Sequence, residues 1–281
     1  FLDNVLTDFI NRAPKSFKDA KYSATRERSV GLGVMGFHSF LQKNSIPFES
    51  VMSKAWNNKI FKYIKTKVDQ ASNILAEERG ACPDAEEYGF KERFSNKTAI
   101  APTASISIIC GGTSPGVEPV AANSFTHKTL SGSYSVRNKY VQKVLEKHGR
   151  NDEETWSSIT TNQGSVAHLD FLSSQEKDVF KTAFELDQKW IVELAAERTP
   201  YISQAQSINI FLPADIHKKD LHQIHFQAWK KGLKSLYYCR SKSIQRAENI
   251  NTGSSTDVLN NVYSKNEIVN ETSDEECLSC Q

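Results

Sequence analysis

The chain has 281 residues, 38% of them hydrophobic and 24% charged, and its 35 basic and 33 acidic side chains give a net charge of +2. This apolar content suffices for a sizeable core and excludes global disorder, while the near-neutral charge predicts no nucleic-acid or membrane partner. Five cysteines do not suit a disulfide-stapled secreted domain, so we expect a reducing, cytoplasmic location.

The two ends of the chain carry signals of their own. The chain begins at Phe1 rather than at Met, which predicts a processed, split or partial protein, and no signal-peptide pattern opens it. Residues 251–281 are rich in Asn, Ser, Thr and Glu, with six acidic side chains and one lysine. We therefore expect a folded domain over residues 1–250 and a flexible, disordered acidic tail over residues 251–281.

Three helices are predicted from apolar periodicity and from end signals. The first is capped by Ser50 and ends near residue 79 before Gly80, and the second opens with a Ser173–Glu176 capping box and ends before Pro200. The third covers residues 218–231. The apolar stripes are Trp56, Ile60, Ile64, Val68, Ala71 and Leu75 in the first helix and Phe180, Phe184, Ile191 and Leu194 in the second.

Short strands are predicted over residues 98–101, 207–212 and 234–239. The last two flank the third helix, and a strand, a helix of about four turns and a second strand form a β–α–β unit with neighbouring parallel strands. The fold class is therefore α/β, as a barrel or an open sheet.

Two further motifs are assigned to structure rather than to ligands. Residues 31–36 have the G-x-G-x-x-G spacing of a dinucleotide site but follow a charged segment instead of a strand, so we expect close helix packing. His217, His222 and His225 lie on or near the third helix without a further facing ligand, so we expect surface histidines rather than a metal site.

A hydroxyl-rich run follows the first predicted strand. It consists of Pro102, Thr103, Ala104, Ser105, Ile106 and Ser107. If Pro102 opens a short helix, the backbone N–H groups of residues 103–105 lack helical partners and, with the hydroxyls beside them, suit a phosphate group. No lysine is present, so this is not a Walker loop. A Ser/Thr-capped turn is by itself the commoner explanation.

Two adjacent tyrosines, Tyr237 and Tyr238, lie at the end of the last predicted strand. On a regular strand they face opposite sides, and ordinary packing is the commoner explanation of such a pair. A redox role, in which phenols pass an electron and a proton, requires the strand to end or bulge here so that the rings stack.

The chain closes on a dithiol, Cys277 and Cys280, in the predicted tail. This spacing is typical of a redox pair or of half a zinc site. Zinc needs two further ligands, and Cys82, Cys110 and Cys239 are isolated. Only one residue follows Cys280, so no helix can start there. We favour a tethered redox dithiol over two incidental surface thiols.

In this order, the hydroxyl-rich loop, the tyrosine pair and the terminal dithiol resemble the C-terminal half of the large, catalytic subunit of class I (aerobic) ribonucleoside-diphosphate reductase. Residues 28–37, Arg-Ser-Val-Gly-Leu-Gly-Val-Met-Gly-Phe, and residues 101–107, Ala-Pro-Thr-Ala-Ser-Ile-Ser, look like the family's most characteristic segments in this half. The resemblance covers essentially the whole chain, and the ordered set is specific although each motif alone is weak.

The resemblance implies a fold and a set of roles. This chain would supply the second half of a ten-stranded α/β barrel. Residues 102–107 would grip the diphosphate of the ribonucleotide, and Tyr237 and Tyr238 would relay the radical from the small subunit. Cys277 and Cys280 would re-reduce the active-site disulfide and would be reduced in turn by thioredoxin or glutaredoxin.

The implied activity is reduction of ribonucleoside diphosphates to deoxyribonucleoside diphosphates (EC 1.17.4.1). It implies no cofactor bound by this chain, a diiron or related metal-radical cofactor in the small subunit, and the N-terminal part of the large subunit as a further partner. The family's Asn-x-Cys-x-Glu radical cysteine, its two ribose-reducing cysteines and its effector-binding domain have no match here, so we expect half an active site that is inactive alone. The alternative is a non-catalytic α/β binding module with a redox-sensitive tail.

Overall fold

The computed structural model describes residues 1–129 and 132–241, which form helices joined by loops and by a few short extended segments. The helices are α1 (Leu2–Arg12), α2 (Lys18–Glu27), α3 (Phe37–Lys43), α4 (Val51–Arg79), α5 (Pro83–Glu87), α6 (Ala104–Ile109), α7 (Lys139–Lys147), α8 (Glu153–Thr161), α9 (Ser174–Val179), α10 (Gln188–Arg198) and α11 (Lys218–Lys230). The strands are β1 (Ser124–Thr129), β2 (Gly132–Arg137), β3 (Ile210–Leu212) and β4 (Cys239–Ser241). The predicted acidic tail, with Cys277 and Cys280, lies outside the described residues.

Four extended segments lie side by side and run parallel through the centre of the molecule. Single bridges join Leu32 to Thr98 and Ile100 to Gln206, and the next pair is β3 with β4. Since β3, α11 and β4 are consecutive, they form the predicted β–α–β unit. Parallel neighbours connected through helices are typical of the α/β class, which is therefore confirmed.

The two strands of this unit begin later than predicted. Regular pairing starts at Ile210 and Cys239 and continues to Leu212 and Ser241. The expected ranges were 207–212 and 234–239. The reason is a slip in the hydrogen bonding before Cys239, described below with the tyrosine pair.

A hairpin that the sequence did not predict is formed by β1 and β2, which pair antiparallel with Ser124 opposite Arg137. A second, smaller apolar cluster lies beside the hairpin between α7 and α8. Its buried members include Val141, Leu145, Trp156, Ile159 and Leu172.

Helix α4 has the predicted ends. The Oγ of Ser50 accepts the N–H of Ser53, and Gly80 follows the helix with a φ of 86°. Its buried face differs from the predicted apolar stripe. The fully buried residues are Ser53, Asn57, Phe61, Ser72 and Ala76, while the predicted stripe is half-buried or, at Ala71, exposed. Two of the buried polar residues bind different neighbours: Asn57 Nδ2 donates to the carbonyl of Leu194 in α10 at 2.9 Å, and Ser72 Oγ accepts the N–H of Arg93 at 3.1 Å.

The predicted second helix is two helices, α9 and α10. The Ser173–Glu176 capping box is present. After α9 the chain leaves the helix because the carbonyl of Phe180 accepts the Asn123 amide at 2.8 Å. Asp187 then caps α10 by accepting the N–H of Lys189. A new cap within the apolar pattern therefore divides the helix.

The main apolar core lies between the parallel segments and helices α3, α4, α10 and α11. Strand β3 is buried at all three positions, as expected for a parallel strand covered on both faces. The largest fully buried apolar side chains here are Phe48, Leu41, Leu194, Ile208 and Ile210. In the described part of the chain no helix, the 29-residue α4 included, combines the length and apolar character needed to cross a membrane.

Candidate functional site

The hydroxyl-rich loop over residues 102–107 opens helix α6. Thr103 has a φ of 54°, in the left-handed region, so it lies at the N-cap and outside the helix. Its Oγ1 accepts the N–H of Gly116 at 2.7 Å. The helix thus begins two residues after Pro102 rather than at it. The N–H groups without an acceptor inside the helix are consequently those of residues 104–106, one position further along than predicted.

The three hydroxyls of this loop have different roles. Thr103 is held by Gly116, and the buried Ser107 donates through Oγ to the carbonyl of Ala104 at 2.9 Å. Ser105 is exposed, and its hydroxyl has no partner within the residues that the structure describes. Of the three, Ser105 is therefore the hydroxyl that is available to a ligand.

A turn over residues 113–118 contacts this loop through the bond from Gly116 to Thr103. The backbone N–H of Ser114 donates to Ser39 Oγ at 2.8 Å, and the N–H of Ser39 donates to Ser114 Oγ at 3.1 Å. Gly116 lies in the same turn, and a Cβ there would come within 3.0 Å of the carbonyl oxygen of Ala101. This reciprocal bonding holds the turn, and with it Thr103, in one position.

The glycines of the G-x-G-x-x-G segment permit close packing, but against a different element than predicted. A Cβ on Gly33 would lie 2.5 Å from the carbonyl oxygen of Ala99, in the adjacent extended segment rather than in a helix. Gly36 has a φ of 83°, and a Cβ there would lie 2.5 Å from Thr113 Oγ1. Residues 31–36 therefore pack against the extended segment around Ala99 and against the turn over residues 113–118.

The side chains of Tyr237 and Tyr238 contact each other. Their ring centroids are 4.1 Å apart with an interplanar angle of 56°, and the residues are 38% and 48% exposed. Both lie before Cys239, where regular β4 pairing begins. The structure thus has the strand irregularity that a stacked pair requires.

The hydrogen bonds show that this irregularity is a β-bulge. The carbonyl of Tyr238 accepts the N–H of Ile210 at 2.9 Å, whereas the carbonyl of Ile208 accepts the N–H of Tyr237 at 2.8 Å. In an evenly spaced parallel ladder the carbonyl of Ile208 would instead accept the N–H of Tyr238. One residue is therefore inserted, and the displaced Tyr238 N–H donates to the Oδ1 of Asn209 at 3.1 Å.

Two buried polar residues that the sequence analysis missed lie behind the pair. The carboxylate of Glu118 accepts both the backbone N–H of Asn209, at 2.7 Å, and its Nδ2, at 3.0 Å. Burial raises the pKa of Glu118, against the opposing effect of the Asn209 hydrogen bonds and the nearby arginines. The sequence offers only the apolar neighbours Val117 and Pro119 as a signal, whereas the fold shows a carboxylate that is buried and partnered, as a buried charge requires.

Two arginines contribute positive charge around this site. Arg198 is 1% exposed and donates to Gln206 at 2.6 Å and to Asn57 at 3.0 Å. Burial lowers the pKa of Arg198 to about 9, so its guanidinium stays charged at pH 7. The guanidinium of Arg240 lies 5.6 Å from the centroid of the Tyr238 ring. Glu118 attracts both arginines and partly balances their charge.

The histidines of the third predicted helix have protein partners. His217 caps α11 by accepting the N–H of Lys219. The Nδ1 of His225 donates to the carbonyl of Leu221, which leaves Nε2 as the acceptor facing Cys239 Sγ at 3.8 Å. Across residues 1–129 and 132–241, no group of three His, Cys, Asp or Glu side chains is arranged to hold a metal ion.

Comparison with known proteins places these features in one family. The family described as "Ribonucleotide reductase, barrel domain" matches residues 1–92 and 84–239. The ribonucleoside-diphosphate reductase large subunit of Invertebrate iridescent virus 6 is 49% identical over 265 residues, covering 93% of this chain and 27% of the viral protein. The large subunit of Caenorhabditis elegans is 30% identical over 294 residues, covering 94% of this chain and 37% of the nematode protein.

A solved structure agrees with these sequence matches. The alpha subunit of the Actinobacillus ureae class Id ribonucleotide reductase superposes with a TM-score of 0.79 at 40% identity, covering 86% of this chain and 44% of that one. The chain thus spans less than half the length of these relatives. Because the family match includes the parallel segments, the hydroxyl-rich loop and the tyrosine pair, this chain belongs to the ribonucleotide reductase barrel domain family.

Proposed function

We propose that this chain is the C-terminal part of a class I ribonucleoside-diphosphate reductase large subunit, which reduces ribonucleoside diphosphates to deoxyribonucleoside diphosphates for DNA synthesis. The observation that carries the proposal is the contact between Tyr237 and Tyr238, 4.1 Å apart at a bulge. Oxidation of a phenol removes one electron and one proton, and a second phenol in contact can restore both. The pair is thus suited to pass a radical between a partner subunit and the active site.

The loop over residues 102–107 is the part of this proposal that binds substrate. A diphosphate offers anionic oxygens, which hydrogen-bond strongly to hydroxyl and backbone N–H donors. The exposed Ser105 hydroxyl and the first-turn N–H groups of residues 104–106 lie together and supply such donors. The hydrogen bond from the Gly116 N–H to Thr103 Oγ1 fixes the N-cap residue of this loop.

Replacing Ser105 tests the substrate role of this loop. In the assembled enzyme, Ser105→Ala removes one donor to a charged group, a contribution of about 1.5–3 kcal/mol, so nucleoside-diphosphate binding weakens roughly ten- to hundredfold. Equilibrium binding of the nucleotide measures the effect. Ser157→Ala, at an exposed position of α8, is the matched control and leaves affinity unchanged. Unchanged affinity in the Ser105 variant would reduce the loop to a capped turn.

The remaining components of the proposed enzyme lie outside the 281 residues of this sequence. In this proposal the N-terminal part of the large subunit joins the four parallel segments of this chain to complete a ten-stranded barrel. It also adds the radical cysteine. The small subunit carries a diiron or related metal-radical cofactor, and thioredoxin or glutaredoxin supplies electrons through Cys277 and Cys280 in the cytoplasm. The homologous large subunits do not favour the alternative of a non-catalytic binding module.

Reconstitution tests the proposal as a whole. The purified chain alone forms no deoxyribonucleotide, because it supplies half of an active site. Mixing it with an N-terminal part from a related large subunit, a small subunit and dithiothreitol yields product, which is measured by chromatography of the nucleotides. A mixture without the small subunit is the control and stays inactive. Turnover by the chain alone contradicts the proposal.

A further inference from the structure

The tyrosine pair is supported by one side chain whose orientation matters. The Tyr238 N–H has no place in the regular ladder and donates instead to Asn209 Oδ1 at 3.1 Å. An asparagine amide can present either its oxygen or its nitrogen in a given direction. Only the orientation with Oδ1 toward Tyr238 satisfies this N–H, so something must select it.

Glu118 makes that selection. Both oxygens of its carboxyl group accept hydrogen bonds from Asn209, and one of them binds the donor end of the Asn209 amide, Nδ2, at 3.0 Å. The oxygen end is then directed at Tyr238. The second carboxylate oxygen accepts the backbone N–H of Asn209 at 2.7 Å. This second bond fixes the position of the carboxyl group relative to Asn209. Glu118 and Asn209 are 6% and 4% exposed, so water competes little for these bonds.

We propose that Glu118 and Asn209 are positioning residues that hold the Tyr238 amide in the bulge and thereby keep the Tyr237 and Tyr238 rings in contact. This inference rests on the proposed radical relay, to which it adds two residues that act through the Tyr238 backbone. The bulge needs an acceptor for the displaced N–H, since a buried N–H without a partner disfavours that conformation. Without the acceptor, the ladder gains by returning to even spacing, which moves one ring to the opposite face.

The same turn also supports the hydroxyl-rich loop. Gly116 donates to Thr103 in the loop, and two residues later Glu118 binds Asn209 behind the tyrosines. Both candidate sites are thus held by one short segment. A change at Glu118 is nevertheless expected to act on the tyrosines rather than on the loop, because its hydrogen bonds go to Asn209.

Two single variants and their combination, which moves the negative charge from residue 118 to residue 209, separate a positioning role from a general effect on stability. In Glu118→Gln, the new amide nitrogen faces Asn209 Nδ2, so two donors meet. If the Asn209 amide rotates to offer its oxygen to the glutamine, Asn209 Nδ2 faces the Tyr238 N–H, and two donors meet there instead. In Asn209→Asp, two carboxylates face each other. The double variant restores every bond, since the glutamine nitrogen donates to one aspartate oxygen and the other accepts the Tyr238 N–H. It also keeps the net charge.

Two measurements on the assembled enzyme follow from this design. Each single variant speeds hydrogen exchange at the Tyr238 amide, read from the peptide over residues 234–241, and lowers turnover roughly ten- to hundredfold with nucleotide affinity unchanged. The double variant recovers slow exchange and most of the turnover. Glu185→Gln is the control, because Glu185 also accepts a backbone N–H, that of Thr182 at 2.7 Å, away from the tyrosines.

The outcomes distinguish this inference from the proposed function. Normal exchange and turnover in both single variants would overturn the positioning role. Losses that the double variant does not recover would also overturn it, since they indicate general destabilisation. If Tyr237→Phe has normal turnover, the radical relay fails, whereas the exchange comparison still decides whether Glu118 and Asn209 hold the bulge.

Discussion

Replacing either tyrosine by phenylalanine, Tyr237→Phe or Tyr238→Phe, abolishes multiple turnover of the assembled enzyme. Phenylalanine keeps the ring and its packing but has no phenolic hydroxyl from which a proton and an electron can leave. The ring centroids are 4.1 Å apart, so each ring is the immediate neighbour of the other in the proposed relay. Neither can be bypassed within the pair, and the two variants are expected to lose activity to the same extent.

The fold is expected to be unaffected by these changes. Both residues are partly exposed, and only one hydroxyl is lost, so the free energy of unfolding changes by about 1 kcal/mol or less. Deoxyribonucleotide formation and thermal unfolding are measured on the same preparations. Tyr88→Phe, at a 76% exposed position, is the matched control and keeps full activity. Near-normal rates in both variants would assign the pair to packing alone.

Replacing both terminal thiols, by Cys277→Ser with Cys280→Ser, removes turnover driven by thioredoxin or glutaredoxin but not turnover driven by dithiothreitol. Protein reductants are too large to enter a buried site and need a dithiol that is carried between the site and the surface. A small dithiol diffuses to the active-site disulfide directly. One round of reduction, which uses thiols already reduced in the site, also survives in the double variant.

Comparing the two reductants in the assembled enzyme makes this result decisive. Cys110→Ser, at an exposed and isolated cysteine, is the control and retains activity with both reductants. Equal loss with both reductants in the Cys277 and Cys280 variant would assign the pair to structure or assembly. Full activity with both would make the pair incidental.

The family and the residues of its motifs were predictable from the chain because they depend on order and identity. The loop over residues 102–107, Tyr237 with Tyr238 and the terminal dithiol are each weak alone but specific together. The family match, over residues 1–92 and 84–239, confirms the family but does not extend to the terminal dithiol. The roles of the individual residues stay predictions, and the experiments above test them.

Local signals determined the secondary structure wherever the partners are close in sequence. The Ser50 cap bonds Ser53, three residues away, and the Ser173–Glu176 box is equally short. The helix prediction failed where a side chain that is distant in sequence binds a backbone group of the predicted helix. The carbonyl of Phe180 accepts the amide of Asn123, 57 residues away, and the predicted long helix therefore divides into α9 and α10.

The geometry of the candidate site was decided by tertiary structure alone. The amide of Tyr238 is held by Asn209, 29 residues earlier, and Asn209 is held by Glu118, 91 residues before it. The spacing of residues in the sequence cannot predict these two hydrogen-bonded pairs, because each forms only when the parallel segments are brought together. The sequence by itself thus predicted the hydroxyl-rich loop and the tyrosine pair as candidate site residues, but neither Glu118 nor Asn209. Only the folded chain decided that the two tyrosine rings lie in contact, because the hydrogen bonds at the bulge link residues that are distant in sequence.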